Sequence, residues 1–132
     1  MAKKILMVDD DKELCEEVRD ILVDEGFDFD AVHTGTEGLE RIRRGAYDLV
    51  LLDLKIPGCN GFEILSAVRM MAESPRIIVL TGRPLTRQLP DELKPSQDKD
   101  EEILALADAV LNKPFDIDLL LNKLSDLTDS PS

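Results

Sequence analysis

Short apolar runs of strand length recur along the chain: KILMV at 4–8, FDFDAV at 27–32, DLVLLD at 48–53, RIIVL at 76–80 and AVL at 109–111. Between them the apolar period lengthens to three or four, the spacing of one helix face. Leu14, Val18, Ile21 and Leu22 share such a face, polar Glu25 comes next in the series, and Gly26 follows where a helix end favours a residue that tolerates left-handed backbone. Thr36 to Arg44 carries Leu39 and Ile42 and stops at Gly45, and Phe62 to Met71 carries Ile64, Leu65 and Val68 and stops before Ser74-Pro75. Asp116 to Leu127 carries Ile117, Leu120, Leu121, Leu124 and Leu127, with Asp116 placed to cap. A short fourth helix is expected to begin near Asp100, ahead of the last strand.

The order is β-α five times over, and several strands are apolar on both faces. A sheet with one face in water would alternate instead, so the pattern predicts an α/β fold: a doubly wound, five-stranded parallel sheet covered by helices on each side. Right-handed crossovers then bring the strand C-terminal ends to one edge, where such folds keep their sites. Asp9 and Asp10, Asp53, Thr81 and Asn112-Lys113 all fall at those ends.

Asp53 poses the sharpest question, because it follows the apolar run VLL and removing a carboxylate from water costs several kcal/mol unless something answers its charge. A divalent hard cation would answer it. Oxygen ligands from Asp10, Asp53 and a backbone carbonyl, completed by waters, suit Mg²⁺, which accepts few protein ligands and keeps several waters. With charge so neutralised, an Asp53 oxygen is a candidate nucleophile toward phosphorus, while Lys113 offers a point charge and Thr81 a hydroxyl for the phosphoryl oxygens. Singly, each residue has a plainer explanation: Asp11 as a helix cap beside Asp9 and Asp10, Asp53 as a turn cap, Thr81 and Lys113 as surface groups. Their convergence on one edge favours the chemical explanation.

Composition narrows the partners. With 132 residues, 43% hydrophobic and 33% charged, the chain is expected to form one domain over 1–128 with a frayed tail at 129–132. A formal net charge of −12 disfavours nucleic acid and anionic membrane and favours a basic protein surface. Cys15 and Cys59 lack CxxC spacing, which argues against a metal knot or redox pair; Cys15 is expected in the core and Cys59 in a loop. His33 stands alone, so no histidine triad can form, and at the end of the second strand it is expected to be an exposed loop residue. Met70-Met71 is expected to pack on or border the third helix and needs no cofactor explanation. The start MAKKILMVDDD is no signal peptide and no apolar run approaches the ~20 residues of a membrane span, so a cytoplasmic location is expected. The segment 82–100, with three prolines and many charges, reads as an extended surface loop before the fourth helix, the alternative being a partner-contacting segment beside the site.

The set ILMVDDD, DLVLLDLKIPGCNGFEIL, IIVLTG and LNKPF closely resembles the receiver domain of two-component response regulators, in order and over nearly the whole chain. The resemblance implies the CheY-like, flavodoxin-like (βα)5 fold. It makes Asp53 the phosphoacceptor, with Asp10, Asp53 and the Lys55 backbone carbonyl as Mg²⁺ ligands and Asp9 supporting the metal through water. Thr81 and Lys113 would hold the phosphoryl oxygens, Lys113-Pro114 would be a cis peptide, and Pro57 and Gly61 match the loop after the acceptor. It further implies a histidine kinase or histidine phosphotransfer protein as donor and a downstream protein as target, and leaves a homodimer open. Self-catalysed phosphorylation and dephosphorylation would make the chain a switch and not an enzyme acting on metabolites.

The sequence departs from the family pattern in the output half. Val110 stands where the family usually has Tyr or Phe, Leu106 replaces a usual glycine, and the stretch from Thr81 to Lys113 is longer than typical. Lys55 and Arg83 hold positions that in this family modulate phosphate lifetime. Two alternatives stay open at this point: a phosphorylation-independent receiver-like interaction module, and a haloacid-dehalogenase-type phosphatase suggested by Asp9-x-Asp11. Glu13 stands where the latter motif wants Thr or Val.

Overall fold

The structure, a computed structural model, describes residues 3–45, 47–54, 56, 61–81, 105–112 and 115–128. Their order is β1 (Lys4–Val8), α1 (Lys12–Asp24), β2 (Asp28–Val32), α2 (Gly35–Arg44), β3 (Leu49–Asp53), α3 (Gly61–Arg69), β4 (Arg76–Thr81), β5 (Ala109–Asn112) and a C-terminal helix α4 (Ile117–Thr128). The five strands form one sheet in the order β2-β1-β3-β4-β5, every neighbouring pair parallel. The chain winds outward from β1 to β2 and returns to the other side for β3, so the winding reverses between β1 and β3.

The central strands are buried on both faces, which is why β1, β3 and β4 read as largely unbroken apolar runs. Ile5, Met7, Leu49, Leu51, Ile78, Leu80 and Leu111 face Cys15, Val18 and Leu22 of α1 and Leu120 and Leu124 of α4. The alternate residues Leu6, Val8, Val50, Leu52, Ile77 and Val79 face Ile42 of α2 and Ile64, Leu65 and Val68 of α3.

Helix ends follow their caps. The Asp11 carboxylate accepts the Leu14 N–H at 3.0 Å and opens α1, which closes on Glu25 before Gly26 at φ 95°. Helix α2 begins at Gly35, one residue earlier than the periodicity indicates, because Thr34 takes the cap and its hydroxyl accepts the Glu37 N–H at 3.2 Å. Helix α3 is shifted too, running from Gly61 to Arg69, and the methionine pair is divided: Met71 packs on the α2–α3 layer, whereas Met70 is 87% exposed. Asp116 caps α4 as expected, its carboxylate accepting the Asp118 N–H at 2.9 Å and its carbonyl the Leu120 N–H at 3.0 Å.

At the edge where the strands begin, an arginine ties three segments together. Arg69 donates through Nε to the Leu106 carbonyl at 2.5 Å, through Nη1 to Ser74 and the Pro75 carbonyl, and through Nη2 to the Asp108 carboxylate at 2.5 Å. Asp108 also accepts the Ile77 N–H at 2.7 Å and pairs with Arg76 at 3.3 Å. Burial alone would raise the Asp108 carboxyl pKa, but the Ile77 N–H and the Arg69 guanidinium outweigh it and hold the group below its ordinary value.

The helix expected near Asp100, the 82–100 loop, Cys59, Pro57, Lys113-Pro114 and the 129–132 tail lie outside the described residues. Among the described residues no helix is long and apolar enough to cross a membrane.

Candidate functional site

The parallel register assembles an acidic crevice where the winding reverses. Val8 pairs with Leu52, so the residues that follow, Asp9 and Asp53, emerge side by side at the C-terminal edge. Carboxylate oxygens of Asp9, Asp10 and Asp53 all lie within 4.8 Å of one another. Asp9 is fully buried, Asp53 is 5% exposed and Asp10 faces solvent. Like charges ~4 Å apart repel by about 4 kcal/mol at an effective dielectric of ~20. Three acids held this close therefore invite a cation.

The donor set decides which kind. All three groups are carboxylates, hard oxygen donors of the type that Mg²⁺ and Ca²⁺ take, and one of them opens to water that could complete a shell. The fit to a divalent hard cation is thus chemical as well as electrostatic.

Asp9 is held from all sides. Its N–H donates to the Val32 carbonyl at 3.1 Å and its Oδ1 accepts the Asp11 N–H at 2.9 Å. Its carbonyl meets His33 Nδ1 at 3.0 Å and Cys15 Sγ at 3.6 Å. His33 thus corrects the expectation of an exposed loop residue: it is half-buried and bonded to the crevice backbone. No local sequence signal marks it. Only the β1–β2 register, with Val8 opposite Val32, brings position 33 beside position 9. Cys15 is buried in the core as expected.

Glycine at 61 has a spatial reason that sequence matching alone did not supply. A Cβ there would lie 2.6 Å from Leu54 Cα and 3.0 Å from the Asp53 carbonyl oxygen, so α3 starts pressed onto the backbone that carries Asp53. Thr81 is the last residue of β4 and pairs in register with Asn112, the last of β5. The structure brings together three expected site residues, Asp9, Asp10 and Asp53, and sets Thr81 on the same edge; Lys55 and Lys113 lie outside the described residues. Val110 is half-buried against the α2–α3 layer, and Leu106 lends its carbonyl to Arg69.

Fold and crevice together define a class: a doubly wound parallel sheet with an acidic, cation-suited pocket at its switch point. The chain belongs to the response regulator receiver domain family, whose model matches residues 5–125. It is 35% identical over 121 residues to the transcriptional regulatory protein DltR of Streptococcus agalactiae, covering 92% of this chain and 50% of that protein. The response regulator ArlR of Staphylococcus saprophyticus is 36% identical over 121 residues, with the same 92% and 50% coverage. The chain spans about half the length of these curated relatives. Among solved structures it resembles the response regulator TrrA of Thermotoga maritima in complex with Mg²⁺-BeF, at TM-score 0.77 and 31% identity over 95% of this chain and 98% of that one. A CheY-like receiver domain from Methanospirillum hungatei superposes at TM-score 0.81 with 29% identity, over 98% of this chain and 95% of that one. The Asp9-x-Asp11 spacing that suggested a phosphatase has a structural explanation, since Asp11 is the α1 cap.

Proposed function

We propose that the chain is a phosphorylation-controlled switch in which Asp53 accepts a phosphoryl group from a histidine kinase or histidine phosphotransfer protein. The observation that carries this is a strand-end carboxylate, 5% exposed, sharing a 4.8 Å cluster with Asp9 and Asp10. Mg²⁺, held by Asp10, Asp53 and the Lys55 carbonyl with Asp9 acting through water, would neutralise the acids and the incoming phosphoryl oxygens. An ionised Asp53 oxygen attacks phosphorus, the P–N bond to the donor histidine breaks, and its electron pair stays on the imidazole nitrogen. Thr81 and Lys113 hold the phosphoryl oxygens through the hydroxyl and the ammonium. Hydrolysis of the acyl phosphate by water restores Asp53. The added charge then changes the surface offered to a downstream protein, for which a net charge of −12 favours a basic face. The relative solved with Mg²⁺-BeF supports the same chemistry for this crevice.

Intact mass after incubation with Mg²⁺ and a small acyl phosphate tests the proposal. A single phosphoryl adduct is expected on the wild type and none on Asp53→Asn. An adduct of equal yield on Asp53→Asn would refute it.

A further inference from the structure

We propose that His33 is a positioning residue for the Asp9–Asp10 pair, and that its donor bond to the Asp9 carbonyl sets how tightly the crevice holds a divalent cation. This rests on the reading of the crevice as a cation site. A carbonyl oxygen only accepts, so His33 Nδ1, 3.0 Å away, carries the hydrogen, and the Cys15 thiol at 3.6 Å is a second, weaker donor.

The carbonyl they share belongs to the peptide group that joins Asp9 to Asp10. That group is planar, so fixing its oxygen also fixes the nitrogen and Cα of Asp10. On the other side, the Asp9 N–H is tied to Val32 at 3.1 Å and the Asp9 side chain to the Asp11 N–H at 2.9 Å. The end of β2 therefore grips Asp9 twice, through the Val32 carbonyl and through the next side chain along, His33. Asp10 itself is exposed at the rim, and the His33 bond limits where its backbone can carry it. Without that bond the carbonyl keeps only the weaker Cys15 donor, and the peptide plane that carries Asp10 is less firmly fixed before any cation arrives.

The experiment uses the full chain, with Mg²⁺ affinity by titration calorimetry and Tm in parallel. His33→Ala is expected to weaken Mg²⁺ about tenfold, as loss of an outer-shell partner does, while His33→Asn, whose Nδ2–H can take the place of Nδ1–H, stays within about twofold of wild type. His33→Leu keeps bulk without a donor and is expected to match His33→Ala, which provides the comparison if the alanine form does not fold. A donor-less variant that binds Mg²⁺ like the wild type, whether or not its Tm falls, overturns the inference; so does a His33→Asn form as weak as His33→Ala. A wild type that binds no Mg²⁺ fails differently: it removes the cation reading itself.

Discussion

Gly61→Ala tests the contact between helix α3 and the strand end that presents Asp53. The added methyl would sit 2.6 Å from Leu54 Cα, 2.9 Å from the Leu54 carbonyl oxygen and 3.0 Å from that of Asp53. All three are backbone atoms, one on the last residue of β3 and two on the residue after it, so they cannot swing aside as a side-chain tip would. Either α3 backs away or the Asp53–Leu54 segment shifts, and overpacking of this kind costs about 1–3 kcal/mol. At about 4 °C per kcal/mol for a domain of this size, the Tm should fall by roughly 4–12 °C. Gly38 is the internal comparison: a Cβ there meets Val8 methyls at 2.7 and 2.9 Å, so its obstacle is a side chain. Val8→Ala should recover part of the loss in Gly38→Ala, and no side-chain trimming should recover Gly61→Ala. Differential scanning calorimetry reads both, and the rate of labelling by an acyl phosphate reads the shift at Asp53. A Gly61→Ala protein that melts and labels like the wild type would refute the reasoning.

The remaining predictions concern the opposite edge and the lone tyrosine. Arg69→Ala should cost about 2 kcal/mol in chemical denaturation, because it strips a partly buried carboxylate of the closer of its two charged donors. The Asp108 carboxyl has a lowered pKa, so its stabilising contribution is complete above the ordinary value of 3.8 and is lost as pH falls through the lower folded value. The Tm gap between wild type and Asp108→Asn should accordingly hold at neutral pH and close only in that acid window. Tyr47, the sole tyrosine in a chain without tryptophan, is pushed above 10.0 by burial and then by its 2.8 Å hydrogen bond to Asp30. Ultraviolet titration should find its midpoint above that of free tyrosine, and Asp30→Asn should move it back down.

Much of the fold was legible in the sequence because its signals are local. Burial on both faces turned β1, β3 and β4 into unbroken apolar runs, and Gly26 and Asp116 marked helix ends by their own chemistry. The acids at 9, 10 and 53 could be gathered on paper because parallel strands with right-handed crossovers share one C-terminal edge. What stayed hidden depends on register and on distant pairing. His33 meets Asp9 across 24 residues, and Arg69 meets Asp108 across 39, so no periodicity encodes either contact. The starts of α2 and α3 were each missed by one residue for a related reason. Gly35 and Gly61 carry no side chain to join an apolar stripe; the Thr34 cap sets the first turn in one case, and close approach to the Asp53–Leu54 backbone leaves room only for glycine in the other.

The central claim is that Asp53, and no neighbouring acid, carries the phosphoryl group. Borohydride reduction after treatment with Mg²⁺ and an acyl phosphate converts an aspartyl phosphate to homoserine, which peptide mass spectrometry locates. The account predicts homoserine at position 53 alone, lost when Mg²⁺ is chelated beforehand. Homoserine at position 9 or 10, or none at 53 under saturating Mg²⁺ and donor, would contradict it.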